Sequence, residues 1–262
     1  MVKMLLPIIW LIKKSKALSA ISMRLTKLTG KSKYKIHPKH LINIETPWYL
    51  SHIYKKDSVL DLGCSNGQHT LKTAKKCHRI IGLDYDKAQL DIARATAKDQ
   101  KIKNAVFKSC NLEKKLYFKS QTFDKVLCLD ILEHVYHRKQ LLTEIKRVLK
   151  PGGLAFIAIP NTGTSWKKIQ KKVGLNYYAD PDHKIEYTLT EAKDKMRQIG
   201  FKILSLQPIV YDSPWVGIFD FIGGLSLNLY AGISKYKKKK IQNNLKESTG
   251  FRIVIKKPSA GS

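Results

Sequence analysis

The sequence predicts an α/β fold: a mainly parallel sheet with helices on both of its faces. Three observations carry this. Short apolar runs alternate with helical patterns from residue 58 to residue 159. The first run feeds a glycine-containing turn that opens a helix. The chain has 262 residues, 43% of them hydrophobic, enough for one sizeable domain with an appendage.

Each element follows in order. Residues 4–12 are apolar but too short to span a bilayer, and Lys13, Lys14 and Lys16 follow directly, the wrong flank for an export signal. Leu5, Ile9 and Ile12, then Ile21, Leu25 and Leu28, recur at helical spacing among lysines, which predicts one or two basic amphipathic helices. Such a helix either packs on the domain or lies on a membrane surface. Residues 37–54 read as a loop and a helix punctuated by Pro38 and Pro47.

Strands are predicted at 58–62, 79–83, 105–109, 123–129 and 154–159, and helices at 68–76, 87–98 and 138–149. Pro151-Gly152-Gly153 stops the last of these helices. A polar stretch to Tyr187 precedes a helix at 190–199 with Thr190 as N-cap, a sixth strand at 201–210 and a seventh at 250–257. Residues 211–248 are too long for a connection between neighbouring strands. Within them 216–233 is almost wholly apolar, followed by five lysines from Lys235 to Lys240. That run reads as a core helix, an interfacial helix or lid, or a marginal span, with Trp215 and Tyr230 bracketing it. The predicted organisation is a basic extension over 1–40 and a main domain over 41–262 with an insertion at 211–248.

Composition excludes fibrous and disulfide-scaffold classes: there are 15 Gly, 9 Pro and four scattered cysteines with no CxxC pair. A reducing compartment fits. The net charge of +29 comes from 49 Lys/Arg against 20 Asp/Glu, and 42 of the 49 are lysine. Residues 1–40 carry +10 and residues 232–262 carry +8. An anionic partner follows, lipid headgroups or nucleic acid.

The chemistry centres on Val59-Leu60-Asp61-Leu62-Gly63-Cys64-Ser65-Asn66-Gly67. Glycines at a strand-to-helix turn let backbone approach a ligand, and Asp84 stands at the end of the second strand, where a carboxylate can accept from both hydroxyls of a ribose.

These residues resemble the first two motifs of class I S-adenosylmethionine-dependent methyltransferases, with Ser65 in place of the central glycine. Asn111-Leu112-Glu113, Phe123-Asp124-Lys125-Val126, Leu132-Glu133-His134-Val135, Leu149-Lys150-Pro151-Gly152-Gly153, His183-Lys184-Ile185-Glu186-Tyr187-Thr188 and Gly200-Phe201 extend the resemblance over about residues 40–210. It implies a Rossmann-like seven-stranded sheet whose last strand is antiparallel, and S-adenosylmethionine as cofactor. It also implies that Asp61, Gly63, Ser65 and Gly67 cradle the methionine part and Asp84 the ribose. Tyr85 then lies against the adenine, Asn111 meets the adenine amino group and Asp130 stands near the methionine end.

Asp130, Glu133 and His134 resemble the ExxEH run of ubiquinone-pathway O-methyltransferases and of small-RNA 2′-O-methyltransferases. That resemblance implies a divalent metal, Mg²⁺ or Mn²⁺, on Asp130, Glu133 and His134. The alternative is that Glu133 caps a helix and His134 lines the pocket. His134 is a candidate general base and His183 a second, with Glu133 the third catalytic candidate.

The expected function is O-methylation of a lipid-linked or membrane-associated small acceptor. The alternatives are an RNA-modifying methyltransferase and a non-catalytic binding protein on the same fold. The expected location is cytoplasmic and peripheral on the inner face of a membrane, an anionic surface meeting residues 1–40 and 215–240. Nucleic acid is the less favoured partner.

Overall fold

The computed structural model describes residues 2–33, 35, 37, 38, 41 and 47–259. Its elements run α1 (Val2–Leu28), β1 (Ser58–Leu62), α2 (Gln68–Ala74), β2 (Arg79–Asp84), α3 (Lys87–Asp99), β3 (Ala105–Ser109), β4 (Phe123–Leu129) and α4 (Arg138–Val148). They continue β5 (Leu149–Pro160), α5 (Ser165–Lys172), α6 (Leu189–Gln198), β6 (Lys202–Pro208), α7 (Val216–Leu225), α8 (Leu227–Ile241) and β7 (Gly250–Lys256). They build two compact units. One is Pro47–Asn161, Tyr178–Gln207 and Gly250–Ser262; the other is Met1–Thr46, Thr162–Tyr177 and Pro208–Thr249.

The first unit holds the seven-stranded sheet, ordered β3-β2-β1-β4-β5-β7-β6. β1 to β5 pair in parallel and β7 runs antiparallel to β5, the mixed sheet the sequence implied. All five residues of β1 are buried, as a central parallel strand requires. Successive strand residues serve opposite faces. Leu60, Leu62, Val126, Cys128, Ala155 and Ile157 pack with Leu141, Leu142 and Ile145 of α4 and with Ala192 and Met196 of α6. The residues between them, Val59, Leu127 and Phe156, pack with Ala74 of α2 and with Tyr49, Leu50 and Ile53. Leu90, Ala93 and Ala97 of α3 close over Phe107 and Cys64. Strand order reverses between β1 and β4, so a crevice opens at their carboxyl ends, where open α/β sheets bind ligands.

Most boundaries fall within two residues of expectation, and three departures have a physical cause or a different element type. β5 starts at Leu149 and absorbs the Pro-Gly-Gly turn, with a register irregularity opposite Phe123 and Lys125. α6 is capped by Thr188, not Thr190. Thr188 accepts from the Glu191 N–H while Glu191 accepts from the Thr188 N–H, a reciprocal capping box that Thr190 has no partner to make. Of the expected helix before Tyr54, the residues from Pro47 on form a 3-10 turn at Leu50–His52; residues 39, 40 and 42–46 of that prediction lie outside the described residues.

The second unit is helical. α1 is one helix of 27 residues despite Pro7. The side chains of Leu5, Ile9 and Ile12, on which the amphipathic reading leaned, lie outside the described residues. α7 packs along α1 through small residues: a methyl added at Gly224 would stand 2.9 Å from Leu25 Cβ and 3.0 Å from the Ser22 carbonyl. The apolar run 216–233 is not one helix. Ser226, extended at φ −145°, ends α7 and caps α8 by accepting from the Leu229 N–H. Buried Asp220 accepts from Ser19 Oγ (2.6 Å) and Tyr230 OH (2.9 Å) and pairs with His37 Nε2 at 3.1 Å. Burial alone would raise its pKa, but the bonds from His37, Ser19 and Tyr230 hold it below the usual carboxylate value. Among the described residues, no helix is long and apolar enough to cross a membrane.

Candidate active site

The crevice at the ends of β1 and β4 is a cavity of about 880 Å³. Its floor is the turn after β1. Gly63 has φ +69° and Gly67 φ +80°, both in the left-handed region. A side chain at Gly63 would collide with Ile131 Cδ1 at 1.9 Å, and one at Gly67 would meet Ala93 Cβ and the Phe107 ring at 2.9 and 3.0 Å. Ser65 also turns left-handed, at φ +46°, which is the conformation a glycine would take most easily at that position. Its N–H donates to Asp84 Oδ2 at 2.8 Å, and this bond offsets the backbone cost.

The other oxygen of Asp84 accepts from the Asp86 N–H at 3.0 Å. Both oxygens are thereby aimed, and each keeps a lone pair for a ligand hydroxyl. Asp84 is only 8% exposed yet lines the cavity, whereas Tyr85 beside it is 81% exposed at the rim. Asn111 also lines the cavity; its Oδ1 accepts from the Glu113 N–H at 2.9 Å, which fixes the amide. Asp130, at φ +56°, lines the opposite wall with Leu129 and Ile131.

Gly63, Ser65, Asp84, Tyr85, Asn111, Asp130 and His134 therefore share one cavity, while Asp61 and Gly67 do not line it. Asp61 is 2% exposed and accepts from Thr70 Oγ1 at 2.6 Å, bracing the turn from beneath. Burial lifts its pKa to about 7 against that hydrogen bond.

Past β4 lies the second group. Glu133 is 1% exposed, and among the described residues its Oε2 has no hydrogen-bond partner. Burial pushes its pKa up to about 8, so at neutral pH it holds a proton. Its carbonyl accepts from the N–H groups of Lys184 (2.7 Å) and Ile185 (3.4 Å), which docks the 183–188 segment. The His183 ring then stands T-shaped against His134, centroids 4.7 Å apart. His183 Nδ1 is held by Glu186 Oε1 at 2.7 Å. Burial, aided by His183, keeps the His134 pKa below the usual imidazole value, so that ring is neutral at pH 7.

This corrects the expected metal set. Among the described residues the ligand atoms close enough to share an ion, all within 4.8 Å of one another, belong to Glu133, His134 and His183. Asp130 is not among them: it faces the open cavity from a left-handed turn, while Glu133 is turned inward. Two imidazoles and one carboxylate form a nitrogen-rich set, which suits borderline transition metals and not Mg²⁺.

Sequence reasoning missed three contributors. Lys184 lines the cavity with its Nζ 5.4 Å from the Tyr136 ring, and Asp182 lines it nearby. Glu113 accepts from the Tyr136 and His137 N–H groups at 2.6 and 2.8 Å, bracing the approach to α4. The motifs holding Glu113 and Lys184 were visible; only their neighbours had been given roles.

A methyltransferase-domain family matches residues 53–213, more than half of the chain. The chain belongs to the class I S-adenosylmethionine-dependent methyltransferases. Among curated relatives, this methyltransferase is 29% identical over 154 residues to a probable S-adenosylmethionine-dependent methyltransferase of Mycolicibacterium smegmatis, covering 59% of this chain and 55% of that one. It is 30% identical over 129 residues to the ubiquinone biosynthesis O-methyltransferase of Coxiella burnetii, covering 48% and 54%. The chain thus spans about half the length of the curated relatives it matches. A putative methyltransferase of Bacillus halodurans shares the fold with a TM-score of 0.59 at 16% identity, over 80% of this chain and 97% of that one.

Proposed function

We propose that the methyltransferase moves the methyl group of S-adenosylmethionine to an oxygen of a small, lipid-linked acceptor. The observation that carries this is the His134 ring lining the same cavity as the aimed Asp84 carboxylate. The aimed oxygens of Asp84 suit the ribose hydroxyls. Tyr85 suits the adenine face and Asn111 its edge, and Gly63 and Ser65 leave backbone open toward the methionine part. Such placement supplies most of the rate, because transfer needs the acceptor oxygen, methyl carbon and sulfur in line.

An acceptor hydroxyl must also lose its proton as the O–C bond forms and the C–S bond breaks. In this reading His134 takes that proton, a role supported by His183, oriented by Glu186, packing against its ring. Glu133, His134 and His183 can alternatively hold a divalent ion, which would lower the acceptor's pKa. The orphaned Glu133 Oε2 favours that second reading. Leu112, Leu129, Ile131 and Val135 give the cavity an apolar wall that suits an aromatic or prenylated acceptor, and O-methyltransferase relatives support oxygen as the atom modified.

The test is calorimetric titration with S-adenosylhomocysteine, then turnover on prenylated phenols. Asp84→Ala should weaken binding by about 10- to 100-fold, the loss of one or two hydrogen bonds to a charged group. His134→Ala should leave binding intact and lower kcat by about 10²-fold or more. Transfer to RNA with a steep salt slope, and none to phenols, would replace the acceptor class.

A further inference from the structure

The helical unit carries 20 Lys/Arg against four Asp/Glu, a formal +16 in 104 residues. Its three described acids are turned to internal work. Asp220 is buried among Ser19, His37 and Tyr230, Asp212 accepts from Thr164 Oγ1 at 2.7 Å, and Glu247 accepts from Ser165 N–H and Oγ. The unit therefore offers solvent a cationic surface with little acidic relief.

The same unit exposes apolar side chains. Asp220 is the only charged residue of α7, and it faces inward. Gly223 and Gly224 seat α7 against Pro38, Ser22 and Leu25. What remains outward is Val216 and Ile218, each 37% exposed, and the α7–α8 tip, with Leu225 at 53% and Leu229 at 63%. Lysines follow one helix along: Lys235 and Lys239 are exposed on α8, and Lys237 Nζ lies 5.5 Å from the Phe219 ring of α7.

We propose that this unit docks on an anionic lipid bilayer, with the Leu225–Leu229 tip entering the interface and the lysines meeting headgroup phosphates. Charge complementarity selects this occupant. A second copy would bring +16 against +16. A nucleic acid would satisfy the lysines but leave the leucines in water. The unit lies on the bilayer and does not cross it, since no described helix is long and apolar enough. The proposal does not depend on which acceptor is methylated.

The experiment is flotation of the full chain with vesicles of phosphatidylcholine alone and with phosphatidylglycerol added. Wild type should float with the anionic vesicles only, and added salt should weaken it. Leu225→Glu with Leu229→Glu should cut partitioning by about tenfold or more, as should Lys235→Glu with Lys239→Glu. Unchanged far-ultraviolet circular dichroism and an unchanged thermal melt show that both variants are folded. Failure of wild type to float at low salt overturns the proposal, as does a tip variant that floats like wild type. RNA binding without flotation would assign the surface to nucleic acid, and self-association abolished in the tip variant without flotation would assign it to a second copy.

Discussion

Gly63 shows how one missing methyl makes a binding site. Its positive φ and the 1.9 Å approach to Ile131 act together, so Gly63→Ala must strain the backbone and displace a residue of the cavity wall. The expected outcome is a loss of about 1–3 kcal/mol in stability, read by chemical denaturation, with a parallel loss of S-adenosylhomocysteine affinity. Ser65 is the counterexample: a side chain is tolerated at φ +46° because its N–H is spent on Asp84. Much of this was legible. Asp61, Gly63, Gly67 and Asp84 announce the turn by type and spacing alone. Sequence could not say that Asp61 braces the turn from below, because burial depth depends on Thr70 and on the sheet above it. Nor could it pair Glu133 with His183, fifty residues away, since main-chain contacts from Lys184 and Ile185 to the Glu133 carbonyl assemble them.

At the scale of elements, strands were read best. β1 and β4 fall where their apolar runs fall, because a buried parallel strand writes its burial directly into composition. Helices inside lysine-rich or uniformly apolar stretches were harder. α5 sits in a polar segment and is held by Thr164, whose hydroxyl accepts from the Lys167 N–H and donates to Asp212. The α7–α8 break turns on Ser226, a cap with no interruption in the surrounding hydrophobicity. α6 shows a cap correctly available in sequence but assigned two residues late. Thr188→Ala should destabilise the chain by about 1 kcal/mol, and Glu191→Gln, which keeps an acceptor, by less; thermal melts of the two variants check this.

For the molecule as a whole, the buried acids of the site set a pH dependence. Asp61 at about 7 and Glu133 at about 8 hold their protons more tightly folded than unfolded. The stability this confers is complete below their ordinary carboxylate values and is lost as pH rises through the folded ones. Between pH 7 and 8 the folded chain still binds protons that the unfolded chain has released, so the melting temperature should fall by a few °C, about 1 kcal/mol. Glu133→Gln should flatten most of that slope, since Asp61 has largely titrated by then. A wild-type melting temperature that stays nearly flat over the same interval would mean that Glu133 is already ionised in the folded protein.

The helical unit is stitched from three separate stretches of chain, and that has a consequence for biosynthesis. α1 is complete by Leu28, but the helix it packs against does not begin until Val216. At ordinary elongation rates of about 5–20 residues per second, α1 waits about 10–40 s on the ribosome for its partner. During that interval a basic helix with its Ser22 and Leu25 face uncovered is presented to the cell. Anything that shields it, a chaperone or the membrane surface itself, acts before the methyltransferase has finished being made.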